Sequence, residues 1–143
     1  MIKKIATGIA AATLAFSALP AMAQDDYVEE PRTTWELRFI ELAPGAENDF
    51  LEKMNTYWNP AREKAGMQPA TVHFLHNGKY NLLLVLDMPG GMATFDTHRS
   101  PGRMAFREAM MELAGSEEAM EKLMEEGDKL VKDSMSIFSH THP

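Results

Sequence analysis

The sequence predicts an α+β domain in the order β-α-β-β-α-β. Three observations carry that prediction. Apolar and polar side chains alternate through Thr33 to Ala43. Apolar residues recur at helical spacing after residue 46 and again after residue 101. An Asn77-Gly78 pair separates two short β-prone runs, the strongest local hairpin signal, because a type I′ turn needs positive φ at both central positions.

Taken in order, Trp35, Leu37 and Phe39 alternate with Glu36 and Arg38, then Ile40 and Leu42 follow, and Pro44-Gly45 ends this first strand. Phe50, Leu51, Met54, Tyr57, Trp58 and Ala61 form one stripe of a helix, which Pro60 should kink near Asn59 and Gly66 should stop. Ala70 to Leu75 and Tyr80 to Met88 read as the second and third strands, closed by Pro89-Gly90-Gly91. The second helix is split: a short piece over Met92 to His98, a helix from Pro101 to Leu113 stopped by Gly115, and a helix capped by Ser116. Met120, Leu123, Met124, Leu130 and Val131 make the stripe of that last helix, and Ser134 to His142 reads as the fourth strand. This is the ferredoxin-like order, with a four-stranded antiparallel sheet whose first and third strands are central.

The N-terminus reads separately. Lys3 and Lys4, the Ala-rich apolar run Ile5 to Leu19, Pro20 and Ala21-Met22-Ala23 follow the order of a secretory signal peptide, and the run is too short to span a bilayer. Residues 1–23 are therefore expected to be removed, residues 24–32 to form a flexible acidic leader, and residues 33–143 to form one domain of a periplasmic or secreted protein. Without Lys3 and Lys4 the mature chain carries 12 basic and 21 acidic side chains, a net charge of −9. Such a balance disfavours nucleic acid and anionic lipid as partners, and no membrane association is expected after cleavage. The sequence has no cysteine, so core packing, a partner chain or a ligand must supply what disulfides often supply in exported domains.

Two helical layers cover only one face of such a sheet. A two-residue Asn77-Gly78 turn puts Val72, Phe74, Leu83 and Val85 on one face, and His73, Leu75, Tyr80, Leu82, Leu84 and Leu86 on the other. The second set is the more uniformly apolar and is assigned to the helices. The first then requires a second copy, giving a two-fold homodimer, a dimeric α+β barrel whose sheets close around a shared or paired cavity between sheet and dimer partner.

The run Trp35-Glu36-Leu37-Arg38-Phe39-Ile40-Glu41-Leu42-Ala43-Pro44-Gly45 and the acidic amphipathic helix after it resemble the opening of NIPSNAP-like members of the dimeric α+β barrel superfamily. The element order extends the resemblance over nearly all of the mature chain. It implies a barrel dimer. Relatives in the superfamily include cofactor-independent monooxygenases, haem-handling enzymes, isomerases and proteins with no assigned reaction, so it names no chemistry.

Candidate site residues follow from position. Glu36 and Arg38 sit on a central strand, where charge is costly unless paired or wet. An ion pair is the preferred reading. The functional reading makes Arg38 a ligand for an anionic group and Glu36 its orienting partner or a base. His76, Asn81 and Asp87 join that face in the expected register, with His76 a candidate general base and Phe74 a candidate ligand contact. His140 and His142, two apart on the last strand, have metal-binding spacing but no third ligand. Of the ten methionines of the mature chain, Met54, Met110, Met111, Met120 and Met124 fall on helix stripes, where Met fills core gaps. No metal or cofactor is expected. Asp96-Thr97-His98-Arg99 lacks a marked nucleophile and reads as a solvated loop.

Together these features predict an exported binding or accessory protein that takes a small, partly apolar molecule between sheet and helices. The rival prediction is a cofactor-independent monooxygenase or isomerase using Arg38, His76 and Glu36.

Overall fold

In a computed structural model, residues 33–141 are described. The proposed signal peptide, the leader and His142 lie outside them. The four strands are β1 (Thr33–Leu42), β2 (Thr71–Phe74), β3 (Leu82–Asp87) and β4 (Val131–Thr141), paired antiparallel in the order β2-β3-β1-β4. The fold is thus α+β and ferredoxin-like, with β1 and β3 central and the short β2 and long β4 at the edges. β1 pairs with β3 through Glu36↔Leu86, Arg38↔Leu84 and Ile40↔Leu82, and with β4 through Glu36↔Phe138, Arg38↔Ser136 and Ile40↔Ser134. Opposed residues share a face.

The first helical layer is continuous but changes pitch: α1 (Glu47–Lys53), a π-helical turn (Met54–Trp58) and α2 (Asn59–Lys64). Asn59 N–H reaches back to the Met54 carbonyl, five residues away. The cause is Pro60, which lacks an N–H and whose ring crowds the carbonyl four residues before it, so a wider turn precedes it instead of a sharp kink. A 3₁₀ segment (Gly91–Phe95) leads to α3 (Pro101–Ala114) and α4 (Glu117–Leu130). Gly115, at φ 90°, ends α3, and the Ser116 hydroxyl accepts from Ala119 N–H at 3.1 Å to cap α4. α4 passes directly into β4: Val131, assigned by its periodicity to the helix stripe, is already strand, and a register shift beside it between Glu41 and Leu42 absorbs the change.

The β2–β3 connection corrects the expected register. The observed pairs are His73↔Leu83 and Phe74↔Leu82. Phe74 and Val72 therefore share a face with Leu82 and Leu84, while His73 lies with Leu83 on the other. The reason is the turn. Within this connection only Gly78 has positive φ (100°), and no described non-glycine residue does, so Asn77 is not in the conformation a type I′ turn demands. A longer loop forms instead, closed where Leu75 N–H donates to the Asn81 carbonyl at 2.9 Å. One added residue in the connection exchanges the faces of β2 relative to β3.

The assignment of Leu82, Leu84 and Leu86 to the helix side stands. They are buried with Ile40, Leu42, Ala46, Phe50 and Met54 in one core cluster. A second cluster joins Ala61 to Ala109, Met110, Met120 and Leu123 between α2, α3 and α4. On the other side of the sheet Trp35, Leu37, Phe39, Leu83, Val85, Met135 and Ile137 share a face that no described element covers, with Met135 and Ile137 43 % and 47 % exposed. None of the described helices is long and apolar enough to cross a membrane.

Candidate functional site

A cleft of about 1120 Å³ opens between the sheet and the helices, toward the N-terminal end of β1 and the C-terminal end of β3. Its floor is Glu36 and Arg38 of β1, Leu84 and Leu86 of β3, and Ser134, Ser136 and Phe138 of β4. Met54 and Trp58 of the π turn, Phe106 of α3 and Met124 of α4 supply apolar walls. The 3₁₀ segment and the first turn of α3 flank it, with Phe95 edge-on to Phe138 at 5.0 Å between ring centres.

Two arginine–carboxylate pairs lie on the lining. Arg38 Nε donates to Glu36 Oε1 at 2.8 Å, and the Ser136 hydroxyl donates to the same oxygen at 2.6 Å. The Glu36 side chain is 15 % exposed while that of Arg38 is 44 % exposed. The carboxylate is thus held from two sides while the guanidinium keeps access to the cleft. Arg62 of α2 bonds the Asp87 carboxylate at 2.5 Å and the Gln68 carbonyl at 2.8 Å, and Gln68 N–H donates to the same Asp87 oxygen at 3.0 Å. Both partners of this second pair are largely buried, and their bonds tie the end of β3 to the end of the first helical layer.

The structure brings Glu36, Arg38 and Asp87 to one cleft and separates the other candidates from them. Asn81 is spent on backbone: its Oδ1 accepts from Leu42 N–H at 2.9 Å, and its own N–H donates to the Ile40 carbonyl. It anchors the β2–β3 loop beside the C-terminal half of β1. His76 lies in that loop, at the opposite end of the β1–β3 ladder from Glu36, and it is not on the cleft lining. Phe74 is 45 % exposed on the edge strand, also off the lining. The observed register turns Phe74 to the helix side of the sheet, but its place on the edge strand keeps it off the lining, and His76 is kept away by its position beside the turn. His140 lies opposite Thr34 at the end of β4, and His142 is outside the described residues. Among the described residues no three His, Asp or Glu side chains gather as a metal-holding group. In the Asp96-Thr97-His98-Arg99 loop, Thr97 Oγ1 accepts from Arg99 N–H at 3.2 Å, a local turn bond.

Sequence reasoning missed Arg62, Ser100 and Arg103. Arg62 had a signal: it lies four residues beyond Trp58 and eight beyond Met54, so it extends a buried stripe with a charge. Ser100 and Arg103 face the cleft because α3 begins beside it, which no local pattern encodes.

No protein-family model matches the sequence, and no curated protein does. Solved structures match by shape. A dimeric ferredoxin-like protein from an uncultured marine organism shares 11 % identity, with 79 % of this chain and 90 % of that one covered and a TM-score of 0.51. The fold is the same. Two NIPSNAP family proteins from Agrobacterium tumefaciens are also similar. One, of unknown function, has 13 % identity, 77 % and 88 % coverage and a TM-score of 0.49. The other has 12 % identity, 78 % and 85 % coverage and a TM-score of 0.48. What these likenesses show is the fold, an α+β ferredoxin-like architecture.

Proposed function

We propose that this chain is an exported, homodimeric protein that binds a small, partly apolar molecule in the cleft between sheet and helices. The observation that carries the reading is the cleft: about 1120 Å³, walled by Met54, Trp58, Phe106 and Met124, with the Glu36–Arg38 pair on its floor. Concave sites of this size with apolar walls and a few convergent polar groups are the usual form of small-molecule sites. The dimer rests on the uncovered apolar face of the sheet, since a contiguous patch of that kind is costly in water. A structural neighbour described as dimeric gives the two-fold arrangement a precedent in this fold. Export rests on residues 1–23 alone.

Binding is favoured over catalysis because the candidate base, His76, stands apart from Arg38 and Glu36. Native mass spectrometry of the protein recovered from the periplasm of an expressing Gram-negative host tests all three parts. The expected species is a dimer of chains beginning at Gln24 that takes up a neutral apolar probe such as decanol. A monomer overturns the dimer, an uncleaved chain overturns export, and failure to take up any apolar probe overturns the binding reading.

A further inference from the structure

We infer that the N-terminus of α3 is the head-group site of this cleft, and that the ligand is an apolar body carrying a single oxyanion, either a carboxylate or a phosphate ester. The inference rests on the binding reading above and adds the ligand's chemical class to it.

Ser100 carries the argument. It is 6 % exposed, and its buried hydroxyl has no hydrogen-bond partner among the described residues. A serine before the first helical residue ordinarily accepts from an N–H of the first turn, as Ser116 does for α4; Ser100 makes no such bond. Leaving a buried hydroxyl unbonded is destabilising. Ser100 lies on the cleft lining with Pro101, Gly102 and Arg103, and although its hydroxyl is covered, a χ1 rotation would turn it toward a group in the cleft.

The surrounding atoms fit an anion. α3 is 14 residues long, with its positive dipole end at this point and no acidic residue in its first turn. Met104 N–H already bonds the Ser100 carbonyl at 3.1 Å, and Pro101 has no N–H. The N–H groups of Gly102 and Arg103 are therefore the ones the helix geometry leaves open. A Cβ placed on Gly102 would meet nothing within 4 Å, so there is room above these donors. The Arg103 guanidinium lies 5.4 Å from the centre of the Phe95 ring and has no carboxylate partner among the described residues. The Glu36 and Asp87 carboxylates are each matched by an arginine. Asp128, on the α4 wall, repels negative charge and so favours a carboxylate head group over a phosphate monoester, which carries about −1.5 to −2 at neutral pH. From this head-group site the apolar body would extend toward Phe106, Met54, Trp58 and Met124.

Calorimetric titration of the mature protein with decanoate, decyl phosphate and decanol separates the possibilities. At least one anion is expected to bind about tenfold or more tightly than the alcohol, and the better of the two identifies the head group. Ser100→Ala should weaken that anion about tenfold, leave decanol unchanged, and raise the melting temperature of the free protein. Arg103→Gln should weaken the same anion and spare the alcohol. Equal binding of all three probes leaves the cleft a binding site and overturns the head-group site. Binding of none overturns both. An anion preference untouched by either substitution overturns the assignment to α3.

Discussion

Glu36 and Arg38 lie on the same face of the same strand as Ile40 and Leu42, yet the first two floor an open cleft and the second two close a core. The difference lies in what stands above them. Phe50 and Met54 descend onto the Ile40 end and exclude water from it, with Leu82 fully buried beneath. Over the Glu36 end the first helical layer has turned through its π segment, and the roof is the 3₁₀ segment and the start of α3, set back from the sheet. The residue types follow the cover. Apolar side chains occupy the packed end. Ionic and hydroxyl groups, Glu36, Arg38 and Ser136, occupy the open one, where they need not be stripped of water without compensation.

The largest effect should come from the packed end. Leu82→Ala removes a side chain with no exposure and leaves a cavity, so a loss of about 3–4 kcal/mol is expected from urea unfolding. A loss below about 1 kcal/mol would mean that this end is as open as the other. Arg62→Ala ranks next. It strands the buried Asp87 carboxylate and releases Gln68, and leaving one partner of a buried pair uncompensated costs about 3 kcal/mol. Arg62→Met should recover little, because the lost partner is a charge and not only a volume.

Gly127→Ala probes the junction of the two ends. A Cβ there would stand 2.7 Å from Trp58 Cζ2, so the Trp58 ring or α4 must move. About 1–3 kcal/mol of destabilisation is expected from such overpacking. Because Trp58 also walls the cleft, decanol affinity should change with it. An unchanged affinity beside a full stability loss would separate the ring's packing role from its place in the site. Arg38→Ala should behave in the opposite way. Its pair with Glu36 is well exposed on the arginine side, and such pairs contribute less than about 1 kcal/mol. Ligand affinity should fall while the unfolding midpoint stays nearly fixed. The reverse pattern would make the pair a structural one.

How far the sequence reaches can be judged at these same positions. Strand alternation placed Glu36, Arg38, Ile40 and Leu42 on one face, and the breadth of apolar residues in Leu82 to Leu86 marked β3 as central; both are local patterns written directly into the chain. Ser116 and Gly115 were legible as cap and stop for the same reason. The β2 register was not, because it depends on the φ of Asn77, which the dipeptide signal favours but does not determine, and the faces taken by Val72, His73 and Phe74 follow from that one residue. The roof of the cleft was beyond reach for another reason. Ser100, Arg103 and Arg62 meet the strand residues only through the packing of helices far apart in sequence, and that arrangement has no periodicity to read. The apolar outer face, by contrast, was expected from counting: two helical layers cannot hide two sides of a sheet.

The smallest effect concerns pH and belongs to the packed end. Lys53 of α1 donates to Glu126 of α4 at 2.8 Å, and this bond, with the nearby positive charge, holds the Glu126 carboxyl below the usual carboxylate range. Lys79 of the β2–β3 loop bonds Asp133 of β4 and lowers that carboxyl in the same way. A carboxyl depressed in the folded state stays ionised where its unfolded counterpart already binds a proton. The unfolded state therefore takes up more protons as pH falls, and the stabilisation present above the usual carboxylate range is lost below it. Stability should be level from pH 7 to about pH 5 and decline beneath that, more shallowly at high salt because both pairs face water. Lys53→Met should flatten part of that decline by removing the clamp between α1 and α4, which urea midpoints measured across the acid range will register. A decline of unchanged steepness in this variant would move the acid sensitivity away from the helical layer that closes over Ile40 and Leu42.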